Sequence, residues 1–183
     1  MTKPFQADRL SIKAFAQEGE AISGSMPLQD MERLSQEAQE LKPESAVEWT
    51  AMAELRARPG ADADIWLNLE AGTSVQLICQ RCMNPMQVPL KVSQWYRFVE
   101  SEDIAMAEDD QSEEDLLVLE PQFNLLALLE DELLMALPLV PMHEQCQTLA
   151  PRPKDEILIL DEDTQRRNPF AVLAQFKKDS PEH

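Results

Sequence analysis

All three cysteines of the chain and one of its two histidines fall into two short pairs. Two residues separate Cys79 from Cys82, and two separate His143 from Cys146. Sixty residues lie between the pairs, so only folding can bring them together. Three Cys and one His make the donor set of a closed tetrahedral zinc site. A fold in which the pairs meet must therefore fasten two distant parts of the chain at one point.

Two other interpretations of the cysteines remain open. In one they are ordinary buried residues, and in the other Cys79 and Cys82 form a thiol redox pair. Redox enzymes place the first Cys at a helix N-terminus, which lowers its pKa, whereas a strand pattern precedes Cys79. A catalytic zinc would need an open coordination position, which nothing here indicates. The pairs thus predict a structural zinc site without catalytic residues.

The charge of the chain restricts its partners. It has 34 acidic and 16 basic residues, a net charge of −18. Such a chain repels phosphate backbones, so direct RNA contact is weak at most. A basic protein is therefore a more favourable partner for this negatively charged chain than a nucleic acid.

Sequence motifs of common enzymes are missing. There is no Gly-x-Ser-x-Gly elbow, no glycine-rich phosphate loop and no His-Glu-x-x-His helix. The longest uncharged apolar stretch, Leu133 to Met142, has ten residues and two prolines, too few for a membrane span. No secretory signal follows the first methionine. We therefore expect a non-enzymatic, soluble, cytoplasmic protein.

Periodicity predicts an α+β fold. Apolar residues at helical spacing predict a helix over 27–41. Alternating apolar residues predict strands over 47–55, 65–69, 75–79 and 88–98. Short turns between them, including one at Ala71-Gly72, indicate an antiparallel meander or barrel-like sheet. The Cys79–Cys82 pair would then lie at a hairpin tip.

The second half of domain 1–150 is strongly acidic. Its composition predicts a mobile loop around 100–115 and one more strand at 116–119. A central acidic helix should run over 125–137, capped by Asn124. Its cluster Glu130, Asp131 and Glu132 is either a solvated face or a docking face for a basic protein.

The tail, residues 151–183, follows a Pro-Arg-Pro break and contains a predicted short helix over 169–178. Phe170 and Phe176 lie on its apolar face, and basic residues flank it. This helix either covers the domain core or inserts into a partner. The predicted partner-binding residues in the whole chain are Glu130, Asp131, Glu132, Arg166, Arg167, Phe170, Phe176, Lys177 and Lys178.

Four segments in order resemble the bacterial YceD family, described as large ribosomal RNA subunit accumulation proteins. They are residues 22–28, the Cys79–Cys82 pair, residues 130–143 and residues 168–173. The resemblance implies a non-enzymatic factor for synthesis, processing or accumulation of large-subunit (23S) ribosomal RNA. It also implies a basic large-subunit ribosomal protein or a pre-ribosomal particle as partner, because the gene commonly neighbours that of such a protein.

Two features of the resemblance limit what it implies. Family members vary in the second ligand pair, so a four-cysteine site is not carried over to His143 and Cys146. The alternatives to the family function are a thiol redox protein that uses Cys79 and Cys82, and a generic acidic chaperone.

Overall fold

The described fold comprises residues 5–58, 60 and 62–146 of a computed structural model. The order of elements is α1 (Ile12–Glu18), β1 (Ala21–Pro27), α2 (Glu32–Glu37), β2 (Ala46–Arg56), β3 (Asp64–Ile78), β4 (Pro85–Val99), α3 (Glu102–Glu108), β5 (Asp115–Val118) and α4 (Leu125–Met135). Short 3-10 turns lie at Leu28–Asp30 and Asp109–Gln111. The predicted α+β class is confirmed.

The five strands form one open sheet in the order β1-β2-β3-β4-β5. Neighbours from β1 to β4 are antiparallel, as predicted, but β5 runs parallel to β4. The all-antiparallel and barrel-like predictions were therefore wrong. The reason is the connection: the chain returns from the end of β4 through α3, and a helical crossover starts the next strand in the same direction.

Strand β3 is a single element of 15 residues, where the sequence predicted two strands and a turn at Ala71-Gly72. Gly72 pairs with Glu48 on one side and with Lys91 on the other. Partners on both sides keep this glycine extended, so the predicted turn was wrong.

Strand β1 was not predicted, because only Ile22 and Met26 of its seven residues are large and apolar, too few for a clear alternation. Its Gly24 lies opposite Trp49 of β2. A Cβ atom at Gly24 would approach Trp49 Cζ2 to 2.6 Å. Glycine, which usually weakens a strand, is required here by the close approach of the indole ring.

The first predicted helix, 27–41, is shorter in the structure. Met31 is extended, with φ −91° and ψ 99°, so α2 begins only after it. At the other end, Gln39 N donates to Gln76 O at 2.7 Å, which pairs the chain with β3 instead of continuing the helix. Within α2, the side that was predicted to be apolar faces the core, since Leu34 is fully buried.

Helices α1 and α4 pack on the sheet, and α2 packs on α4. Helix α4 begins as predicted, because the Asn124 side chain accepts a hydrogen bond from Ala127 N at 3.1 Å. The largest fully buried side chains are Tyr96, Phe15, Leu10, Ile12, Leu28, Leu34, Leu67, Leu69, Leu90, Leu125, Leu129 and Leu133. No helix in the described residues is long and apolar enough to cross a membrane.

The acidic segment 100–115 contains α3 and a 3-10 turn, so the predicted loop was wrong as secondary structure. Arg97 of β4, only 7% exposed, organises it. Its guanidinium donates to Glu114 Oε1 at 2.7 Å, to Glu108 Oε2 at 2.8 Å and to Ser112 Oγ at 2.9 Å. We call these four residues the Arg97 network. The mobility of the segment stays a prediction.

The predicted tail lies outside the described residues. The boundary at residue 151 and the helix over 169–178 therefore stay predictions.

Candidate metal centre

The turn between β3 and β4 holds the first cysteine pair, at the hairpin tip that the sequence predicted. Cys79 N donates to Asn84 O at 3.0 Å, and Met83 N donates to Cys79 O at 2.9 Å. Met83 takes a positive φ of 59° to close the turn. Both thiols are buried, Cys79 with 0% and Cys82 with 6% exposure.

The chain that follows α4 docks onto this turn and brings the second pair to it. Gln80 N donates to Pro141 O at 2.8 Å. The N–H of His143 points at Cys79 Sγ, 3.4 Å away. These backbone contacts fix His143 beside the cysteine turn without any metal ligand bond.

The structure thus brings all four predicted ligand side chains together, and we call them the Cys–His cluster: Cys79, Cys82, His143 and Cys146. The Sγ atoms of Cys79 and Cys146 are 3.6 Å apart, and Cys82 Sγ is 3.4 Å from His143 Nδ1. All four donor atoms lie within 4.8 Å of one another. Tetrahedral zinc, with bonds of about 2.0–2.3 Å, places its donors roughly 3.3–3.8 Å apart. The donor set and its spacing therefore fit a closed zinc site.

The two cysteines of the turn differ in acidity. Burial raises the pKa of Cys79, but backbone N–H groups, first that of His143, lower it more, to about 5. At Cys82, the N–H of Asn84 lowers the pKa, but burial and the hydrogen bond with Cys79 are among the effects that raise it overall. One thiolate is thus favoured by the backbone itself, and thiolates are the form that binds metal.

Arg81 is a site residue that the sequence analysis missed. Its Nε donates to Cys146 Sγ at 3.0 Å, and its Nη2 donates to His143 O at 2.7 Å. The hydrogen bond to Cys146 is the main reason that the pKa of Arg81 is raised. Its position between the two cysteines of the first pair was the available signal. A zinc ion bound by three thiolates and one neutral histidine would carry one net negative charge, which this guanidinium would offset.

The acidic cluster of α4 is partly engaged within the chain. Glu130 Oε1 accepts from Arg33 N at 2.7 Å and from Leu34 N at 3.1 Å, in the first turn of α2. The side chain of Arg33 also pairs with Glu130 and with Asp131. Burial raises the pKa of Glu130, but these N–H donors lower it more.

Partner binding by Glu130, Asp131 and Glu132 stays a prediction. The other predicted partner-binding residues, Arg166, Arg167, Phe170, Phe176, Lys177 and Lys178, lie outside the described residues.

Comparisons with known proteins identify the family of the chain. The family model described as "Large ribosomal RNA subunit accumulation protein YceD" matches residues 67–177, a range that includes the whole Cys–His cluster. A Haemophilus influenzae protein with the same name is 40% identical over 115 residues. That match covers 57% of this chain and 60% of the relative's length. No solved structure matches the chain. Because the family model matches more than half of its residues, the chain belongs to the YceD family.

Proposed function

We propose that this protein is a non-enzymatic factor that supports synthesis, processing or accumulation of large-subunit (23S) ribosomal RNA. It acts by binding a basic large-subunit ribosomal protein or a pre-ribosomal particle. Membership of the YceD family carries the proposal, because the family and the Haemophilus relative are named for large ribosomal RNA subunit accumulation.

The distribution of charge supports a basic partner. Fourteen acidic residues and no Lys or Arg lie between Phe98 and Cys146. Only four of them, Glu108, Glu114, Glu130 and Asp131, form salt bridges within the described residues. Complementary charge accelerates association and makes it sensitive to salt. The acidic surface would therefore capture or deliver a basic protein more readily than it would hold RNA directly.

The Cys–His cluster has a structural role in this proposal. Its residues, Cys79, Cys82, His143 and Cys146, would hold one zinc ion. Four protein donors would leave no coordination position for a substrate. Zinc when bound supplies a cross-link between the β3–β4 turn and the chain after α4. Elemental analysis of the purified protein tests this role, and one zinc per chain is expected.

Co-purification across a salt series tests the partner. The tagged full-length protein should retain a basic large-subunit ribosomal protein or pre-ribosomal particles at low salt and lose them as salt rises. A preparation without any ribosomal component at low salt would contradict the proposal. Competition with unrelated basic proteins separates a specific partner from a generic acidic chaperone, which would bind them equally well.

The low pKa of Cys79 supports a second candidate, a thiol redox function of Cys79 and Cys82. The complete burial of Cys79 opposes it, because thiol exchange requires access. Thiol titration with and without a chelator distinguishes the two functions. Metal-bound thiols react only after chelation, whereas a redox pair reacts at once.

A further inference from the structure

The last residue of α4 and the chain between α4 and the Cys–His cluster expose large apolar side chains. Over residues 135–142, the exposed fractions are 78% for Met135, 101% for Leu139, 54% for Val140 and 50% for Met142. Single exposed apolar residues are common in soluble proteins, but contiguous apolar surface marks interaction sites. We call residues 135–142 the apolar segment.

The fold holds the apolar segment at both ends. At its start, Ala136 N donates to Glu132 O at 2.9 Å and continues the hydrogen bonding of α4. At its end, Pro141 O accepts from Gln80 N at 2.8 Å, beside the cluster. Pro138 and Pro141 further restrict the backbone between these anchors. The exposed side chains therefore lie on a fixed segment and not on a frayed end.

The cysteine turn that receives this segment adds another exposed apolar side chain. Met83, which closes the turn, is 67% exposed. Methionine-rich surfaces adapt to differently shaped partner side chains. The apolar segment and Met83 lie on the two parts of the chain that the cluster joins, so the cluster positions both.

The charges near the apolar segment decide which kind of partner fits. Four acids and no Lys or Arg lie over residues 125–146, namely Glu130, Asp131, Glu132 and Glu144. Arg33 pairs with Glu130 and Asp131, and Arg81 lies against the cluster, so four acids face two cations and the charge beside the segment stays net negative. RNA and anionic lipid surfaces are repelled by such a field. A cationic segment with an apolar face matches both the side chains and the charge.

We propose that the apolar segment is the docking surface for a basic amphipathic segment of a partner protein. This inference deepens the proposed function and rests on its basic protein partner. Apolar contact supplies affinity at Met135, Leu139 and Met142, while the net negative charge beside the segment selects cationic sequences.

Methionine methyl NMR on the full-length protein tests the location. The probe is a synthetic amphipathic helix of about 18 residues, made of Lys and Leu. The methyl signals of Met135 and Met142 should shift on addition of the probe. Met106, on α3, is the matched control because it is also 78% exposed, and its signal should stay in place. Equal shifts at Met106 and Met135, or no shift at Met135, would overturn the inference.

A double variant tests the energetics. Leu139→Ser with Val140→Ser should weaken probe binding at least about tenfold, because both apolar contacts are lost. Since both side chains are exposed, the unfolding temperature should not change. Met106→Ser, the control, should bind as the wild type does. A lysine-only peptide that binds as tightly as the amphipathic probe would overturn the inference, as would unchanged binding by the double variant.

Repeating the co-purification with the double variant separates the two proposals. If wild type and variant retain ribosomal components equally, the docking surface is wrong and the proposed function stands. If the wild type retains none but the probe binds at Met135 and Met142, the proposed function is wrong and the docking surface stands.

Discussion

The Cys–His cluster and the Arg97 network fasten chain segments to opposite ends of the same strand. The cluster adjoins the start of β4 at Pro85. The network includes Arg97, which lies near the end of β4. The cluster holds its segments through soft donors that suit a metal ion. The network holds its segments through the buried guanidinium of Arg97 and two carboxylates. The contacts at the two ends of β4 should therefore be lost under different conditions. Chelation should disrupt the cluster, and loss of the charge of Arg97 or its carboxylates should disrupt the network.

The largest expected effect is at the cluster. Cys82→Ser removes one of four donors and should lower the free energy of unfolding by about 4 kcal/mol or more, since metal binding contributes directly to folding. For a chain of this length that corresponds to a fall of roughly 8–16 °C in melting temperature. Calorimetry of the zinc-loaded protein measures it. Met83→Ser, next to it in the turn, is the control and should change little.

Chelation sharpens this first prediction. In excess chelator, the wild type and Cys82→Ser should melt at similar temperatures, because both have lost the metal. A Cys82→Ser protein that keeps its full stability but loses function would contradict a structural role and point to chemistry at the cysteines.

The next effect is at the Arg97 network. Arg97→Met leaves Glu114 without its cation and Glu108 with only the longer contact to Arg58, at 3.7 Å. Loss of one partner of a largely buried pair costs about 2–4 kcal/mol. Urea unfolding measures the loss, which should be the same with and without chelator. Arg9→Met is the control, since the Arg9 side chain is 70% exposed and its ion pair contributes about 0–1 kcal/mol. A loss for Arg97→Met that disappears on chelation would mean that the two fastenings are not independent.

A smaller effect is the pH dependence of α4. The folded pKa of Glu130 lies below its ordinary value of 4.5, so its carboxylate stabilises the fold above pH 4.5. That contribution, about 1–2 kcal/mol for charge-assisted hydrogen bonds to Arg33 and Leu34, should be lost as pH falls through the folded pKa. Stability measured from pH 7 to pH 3 should therefore fall more steeply in wild type than in Glu130→Gln. Parallel curves of stability against pH for the two proteins would contradict this prediction.

The smallest effect is at Arg81. Arg81→Met removes the hydrogen bonds to Cys146 Sγ and His143 O, and should lower stability by only about 1 kcal/mol. Its effect on the metal should be larger, about 10–100-fold in zinc affinity, because outer partners orient and balance the ligands. Competition with a zinc-binding dye measures the affinity. An unchanged zinc affinity would show that Arg81 only packs against the cluster.

The sequence predicted the cluster better than the network, for a physical reason. Cysteines are few, so two pairs that use all of them stand out, and alternating apolar residues placed Cys79 at the hairpin tip. Arg97 lies within a strand and pairs with two of many acids, so no spacing identifies Glu108 or Glu114 as its partners. Because acidic residues are so frequent in the segment 100–115, its composition resembled that of a loop.

The direction of β5 was equally hidden. Alternation marks a strand but not its orientation, which depends on how α3 returns the chain. At Gly72 and Gly24, tertiary contacts override the local preference of glycine for turns. The geometry around the ligands could not be predicted from the sequence, because Arg81 and Cys146 are 65 residues apart in the chain and meet only in the fold.

The order of the strands has a consequence for how the molecule assembles. Strands β1 to β4 are neighbours both in sequence and in space, and short connections join β2 to β3 and β3 to β4, so these strands can pair one after another. The turn with Cys79 and Cys82 belongs to the β3–β4 hairpin and forms with it, whereas His143 must wait for α4 to dock. A nascent chain should therefore acquire half of its ligand set early, and closure of the remaining loop should be a late event in folding.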